Sequence, residues 1–200
     1  MEAQNVVTPV GDLDWIFITG NGKKDPQGND RFSATLTLDT DSKECQLLKD
    51  TINEFWEENK PAKAKKAKSL GFRDLQDEQE NPTGKTAFVF WSGTHYPTGD
   101  SKIIKVFNAK GAEVSLGSKR VGNGSRGRIN GAIGIYDQGV AAMGATLYLN
   151  GIQLVKFVPF EGGVSFDAVE DADDDAFEGF DDMEMPPVSD EQNEAAKPRL

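Results

Sequence analysis

The segment at 31–38, RFSATLTL, alternates without a break. Phe32, Ala34, Leu36 and Leu38 fall on one side and Ser33, Thr35 and Thr37 on the other, the period of a half-buried strand. Further apolar runs predict strands at 14–19 (DWIFIT), 86–92 (TAFVFWS), 102–108 (KIIKVFN), 129–136 (INGAIGIY), 145–150 (ATLYLN) and 152–157 (IQLVKF). Their β-branched and aromatic side chains fit a pleated sheet. Asn150-Gly151, between the last two, predicts a hairpin turn. One stretch keeps a different period. Cys45, Leu48, Ile52, Phe55 and Trp56 recur at helical spacing, with Asp41 and Glu44 at capping-box distance ahead and Pro61 as the stop.

Between these elements lie loops. GNGKKDPQGND (20–30) is basic at its tip, KPAKAKKAKSLGFR (60–73) is strongly basic, and DLQDEQENPTG (74–84) contains acids, Pro and Gly. GSKRVGNGSRGR (117–128) is a basic, glycine-rich loop or frayed hairpin. Seven strands and one substantial helix, without strand–helix alternation, argue against a parallel α/β sheet. The expected fold is mostly β: a small, strongly bent antiparallel barrel or sandwich, with the OB type favoured because a helix interrupts its run of strands. From Glu161 onward no periodicity remains, so 1–160 is expected to be the folded domain and 161–200 a disordered acidic tail.

Charge sharpens that division. The 200 residues carry a net −11, but residues 161–200 alone carry −12 and residues 1–160 carry +1. A near-neutral body with a polyanionic extension has the asymmetry of an interaction tail. The one cysteine and one histidine exclude an intrachain disulfide framework and a Cys/His zinc site. No apolar stretch approaches the roughly 18 residues of a membrane span, and MEAQNVVTPVGDLDW lacks the pattern of a secretory signal. A soluble protein of a reducing compartment is expected.

Several motifs carry little. Gly122, Gly124 and Gly127 match G-x-G-x-x-G, but a strand pattern follows where dinucleotide binding needs a helix. Asp171, Asp173 and Asp175 start an EF-hand-like register, which then has Ala176 for glycine and Asp182 for glutamate. His95 has no nucleophile or carboxylate pattern aimed at it, and Cys45 on the apolar helix face is a small core residue. No metal, cofactor or catalytic group is expected.

The basic clusters carry more. Residues 60–73 hold six positive groups and no acid; residues 100–130 hold a net +5. A lysine run is often only a solvated face. Two such clusters in one near-neutral body gather charge where it can track phosphates, with counterion release as the driving force. Aromatic residues stand close by. In TAFVFWS, Phe88 and Phe90 share one face and Val89 and Trp91 the other. Both faces of one strand cannot be deep core in a small barrel. Most strand aromatics are core; Trp91, Tyr96 and Tyr136 are the candidates for exposed rings on which bases stack.

Four stretches resemble the OB-fold single-stranded DNA-binding proteins of tailed bacteriophages. WIFITGNGKKDPQGNDRFSATLTL is similar to their first hairpin, followed by a helix, and FVFWSGTHYP to a central strand. INGAIGIYDQGVAAMGATLYLNGIQLVKF is similar to the closing hairpins, and AVEDADDDAFEGFDDMEM to the acidic tail. The resemblance implies non-enzymatic, sequence-nonspecific binding that protects and melts strands during phage replication and recombination, in the cytoplasm of an infected bacterial host. It leaves room for self-association or cooperative assembly on DNA.

On this reading Lys23, Lys24, Arg31, Lys65, Lys66, Lys68, Lys102, Lys105, Lys119, Arg120, Arg126 and Arg128 meet the backbone. Trp91, Tyr96, Phe107 and Tyr136 meet bases. In the tail, Asp173, Asp174, Asp175, Asp181 and Asp182 imitate phosphate, and Phe177 and Phe180 anchor replication or recombination partners. The related bacterial proteins keep acid and an apolar residue at the very C-terminus; here PPVSDEQNEAAKPRL follows the acidic run. Two alternatives stand beside this reading: a β-sandwich virion or interaction protein, and a hydrolase holding metal in the Asp-rich segment.

Overall fold

The computed structural model describes residues 3–64, 66–139 and 142–160. Among them the chain forms β1 (Gln4–Val7), β2 (Gly11–Phe17), β3 (Lys23–Lys24), β4 (Asp30–Asp39), α1 (Lys43–Asn59), β5 (Phe72–Gln76), β6 (Pro82–Gly93), β7 (Lys105–Phe107), β8 (Glu113–Val114), β9 (Ser125–Asp137) and β10 (Met143–Lys156). Lys65 and the whole of 161–200, including every tail residue singled out above, lie outside the described residues.

Five strands close on one another in the order β2–β4–β6–β10–β9 and back to β2. All these contacts are antiparallel except β6–β10, which runs parallel through Phe90/Leu147 and Trp91/Tyr148. The result is a barrel rather than a two-sheet sandwich. β1 adds to the outside of β9, β7 and β8 extend from β10, and β3 and β5 pair with β4 and β6.

Alternation decides the interior. Phe32, Ala34, Leu36 and Leu38 of β4 point inward as their pattern predicts, and meet Phe88 and Phe90 of β6, both fully buried. Ile129 and Ile133 of β9 and Leu147, Leu149, Ile152 and Leu154 of β10 complete the wall. Cys45, Leu48, Ile52 and Phe55 of α1 join the same cluster, so the helix buries its apolar face against the barrel core. A buried side chain of this size contributes about 1.5–3 kcal/mol relative to exposure.

Five local expectations are corrected. Asn150-Gly151 is not a hairpin turn: β10 runs straight through it, with a bulge between Leu149 and Gly151. Leu149 and Ile152 are three residues apart yet both point inward, so one residue must be absorbed, and exposed Asn150 is the extra one. Gly151 is small because β7 passes close by; a Cβ there would sit 3.1 Å from the Lys105 carbonyl oxygen. The helix cap is Ser42, not Asp41: its hydroxyl accepts from the Cys45 N–H at 3.2 Å, and its backbone is still extended.

The segment 74–84 is not a loop throughout. β5 and the start of β6 occupy its ends, and Asp77 closes the turn by accepting from the N–H groups of Gln79 and Asn81 at 2.9 and 2.8 Å. Within 117–128, β9 already begins at Ser125, so Arg126 and Arg128 stand on a strand. The strand expected at 102–108 shrinks to Lys105–Phe107.

Candidate nucleic-acid interface

One row of side chains crosses the outer wall. Phe17 of β2 pairs with Ser33 of β4, Ser33 with Trp91 of β6, Trp91 with Tyr148 of β10, and Tyr148 with Ala132 of β9. Each ring sits at the out-of-phase position of a strand whose neighbours face the core. Trp91 and Tyr148 meet edge-to-face, with centroids 5.5 Å apart. The Trp91 indole N–H donates to the Thr146 hydroxyl at 2.8 Å, which fixes the ring's tilt. Gly134 leaves room for Tyr148; a Cβ there would stand 2.6 Å from the ring.

Cations cover this row. The Arg31 guanidinium lies 4.3 Å from the Trp91 centroid, and the Lys23 ammonium 5.4 Å from that of Phe17. Arg31 also pairs with Asp25 at 2.7 Å. Asp25 in turn accepts from the backbone N–H groups of Gln27 and Asn29, at 2.9 and 2.8 Å, and so organises the β2–β4 loop. Burial pushes the Asp25 carboxyl up, but hydrogen bonds from Asn29 and Gln27 and the Arg31 charge outweigh it and hold the group below the usual carboxylate range. Lys24 is exposed and paired with Asp30 at 2.7 Å.

At the β9–β10 end the basic segment comes into place. The Lys68 N–H donates to the Met143 carbonyl at 2.7 Å and the Ala145 N–H to that of Ser69 at 3.0 Å, laying 66–69 beside the strand ends. Lys66 and Lys68 are exposed there. Tyr136 is half-buried in the same corner, its ring over Gly144, where a Cβ would stand 2.7 Å from the hydroxyl. Burial raises the Tyr136 phenol above its usual range, with a Ser69 backbone hydrogen bond pulling the other way. Lys63 is held by Asp137 at 3.0 Å.

The remaining candidates are placed elsewhere. Lys102 donates to the Ser92 hydroxyl, and burial lowers its ammonium below the usual lysine range; the Tyr96 ring is 5.8 Å away. Lys105, Phe107 and Arg128 line a cleft of about 400 Å³ together with Asn130, Asn150 and Gln153. Lys105 pairs with Glu113 at 3.0 Å, and Arg128 with the Gln153 side-chain oxygen at 2.6 Å. Arg126 is tied to Asp12 at 3.2 Å, and Lys119 and Arg120 are exposed on the 115–124 loop.

Two members of the row, Tyr148 and Phe17, escaped the sequence reading. The signal was present: each is an aromatic flanked on both sides by inward-facing apolar residues, Leu147 and Leu149 for one and Ile16 and Ile18 for the other. Among the described residues no three His, Cys, Asp or Glu side chains are grouped to hold a metal ion. Cys45 is fully buried, and the His95 ring lies 3.0 Å from the Thr94 hydroxyl.

The order of the closed strands, the parallel β6–β10 contact and the helix packed on the barrel core define an OB fold. In such barrels the second and third strands and the loops between strands 1–2 and 4–5 form the oligonucleotide face; here those are β4, β6 and the β2–β4 and β9–β10 loops, the wall that carries Arg31 and Trp91.

Solved structures share this fold. The single-stranded DNA-binding protein gp2.5 of bacteriophage T7 superposes with a TM-score of 0.57 at 20% identity, over 82% of this chain and 92% of that one. A C-terminal truncation of the single-stranded DNA-binding protein of bacteriophage Enc34 gives 0.55 at 13% identity, over 78% and 88%. The same Enc34 protein in complex with single-stranded DNA gives 0.52 at 14%, over 78% and 89%. No protein-family model and no curated protein matches the chain in sequence.

Proposed function

We propose that this chain binds single-stranded DNA without sequence preference and performs no bond chemistry. One observation carries the reading: the row Phe17–Ser33–Trp91–Tyr148 crosses the oligonucleotide face of an OB barrel, with Arg31 lying over Trp91. Flat rings on an outer wall accept bases of any identity, because every base has a π-face. Lys23, Lys66 and Lys68 meet phosphates beside the row, and Lys24 does so once it leaves Asp30. Arg31 is the pivot: a phosphate competes with Asp25 for its guanidinium and frees the upper face of Trp91. The fold shared with phage single-stranded DNA-binding proteins, one of them solved on single-stranded DNA, supports the assignment.

Melting of hairpins follows from linkage, since a ligand that binds only the open strand pulls the equilibrium toward it. The biological setting is then replication or recombination of phage DNA in the host cytoplasm. The ten acids between Asp167 and Glu184 act as a covalently tethered phosphate mimic that competes for the same face. Phe177 and Phe180 give partner proteins an apolar grip. Gel-shift titrations with oligo-dT and with duplex, repeated across salt, test the core of this reading. Preference for the single strand, weakening steeply as salt rises, is the expected outcome. Indifference to oligo-dT at low salt would end it.

A further inference from the structure

Trp15 takes part in none of these contacts. Its backbone lies in the left-handed region at φ 51°, which side chains with a Cβ rarely adopt because Cβ crowds the carbonyl oxygen. Glu80, the other such non-glycine among the described residues, sits in the tight turn closed by Asp77. Trp15 instead sits where β2 takes an extra residue: Asp14 pairs with Thr35 and Phe17 with Ser33, so three steps on one strand match two on the other. The left-handed position of such a bulge normally belongs to glycine.

Packing does not explain the choice, because the Trp15 residue is 63% exposed while Ile16 beside it is buried. The backbone is held from outside: the Trp15 N–H donates to the Asn123 side-chain oxygen at 2.9 Å. Strained backbone persists where its surroundings over-determine it, and bulges re-aim side chains.

The surroundings define the ligand. The 115–124 loop that supplies Asn123 also carries exposed Lys119 and Arg120 and contains no acid. The acids nearest in sequence are engaged, Asp12 with Arg126 and Asp14 with the Thr37 hydroxyl, each at 3.2 Å. Two residues along β2 stands Phe17 with Lys23 over it. An exposed flat ring whose neighbouring segments carry Lys23, Lys119 and Arg120 suits a stacked base next to phosphates better than an apolar or basic protein surface.

We infer that Trp15 is a further base-stacking site, which a single strand reaches when it is long enough to pass beyond the Trp91 row toward Lys119 and Arg120. This rests on the functional reading above. The test uses the full chain, its Trp15→Gly variant and oligo-dT of about 6 and about 20 nucleotides, one near the short end of the span of an OB fold and one beyond it. W15G is expected to keep its affinity for the short strand and to lose about tenfold for the long one, the order of one stacked base. Trp15→Phe restores most of the loss. The thermal midpoint of W15G should match or exceed the parent's, since glycine suits the left-handed backbone.

Equal long-strand affinity in W15G and parent overturns the inference alone. So does a thermal midpoint several degrees lower, which would show a ring needed for folding. Failure of the parent to bind either strand overturns the functional reading and this inference together.

Discussion

Trp91 concentrates what a single residue does here. Its indole is fixed by Thr146, flanked by Tyr148 and covered by Arg31. Trp91→Ala should weaken oligo-dT binding by roughly tenfold or more, since a stacked ring contributes about 1–3 kcal/mol per base. The ring is partly exposed, so the fold should survive; fluorescence titration and circular dichroism report the two separately. Asp25 gives a second prediction, from its lowered carboxyl. A depressed folded-state value means that stability is fully present above the ordinary value of 3.8 and is lost as pH falls through the lower, folded one. Acid titration of Asp25→Asn should show a shallower loss of thermal midpoint over that range. A curve parallel to the parent's would place the acid sensitivity elsewhere.

Elements differ in how openly the chain announces them. α1 is announced by its apolar period, and Cys45, Leu48, Ile52, Phe55 and Trp56 are all buried as that period requires. Its first turn is subtler, because Asp41 and Ser42 are both good caps and only the tertiary path decides between them. Ser42→Ala should cost about 1 kcal/mol of stability and Asp41→Ala much less, measured by denaturant unfolding. β5 was hidden for a different reason: an edge strand exposed on one side tolerates FRDLQ, which carries little alternation. At Asn150-Gly151 the same residue types serve a turn or a bulge, and only the inward facing of both Leu149 and Ile152 discriminates.

At the scale of the molecule the charge divides into a body of +1 and a C-terminal segment of −12. Removal of 161–200 should tighten oligo-dT binding, most at low salt, where screening is weak. The effect should vanish at high salt; unchanged affinity at low salt would remove the competition. The described barrel has basic groups on several walls, but many are already neutralised by local acids: Lys24, Lys63, Lys105 and Arg126 each have a carboxylate within 3.2 Å. A count of lysines and arginines therefore overstates the field available to a phosphate chain. Position relative to the ring row discriminates better than charge alone.

Alternation, helical period and charge segregation relate residues to near neighbours in the chain, so the order of amino acids by itself determined them. From these came the mostly β fold with one helix, as barrel or sandwich, and the placing of Phe88 and Phe90 on one face and Trp91 on the other. The row that joins Phe17, Trp91 and Tyr148 was decided only by tertiary structure. It needs the registers of β2, β4, β6 and β10 to agree across long separations in sequence, and bulges at Trp15 and Asn150 shift those registers. Register is a property of the closed barrel, because each strand's pairing is constrained by the strands on both sides of it.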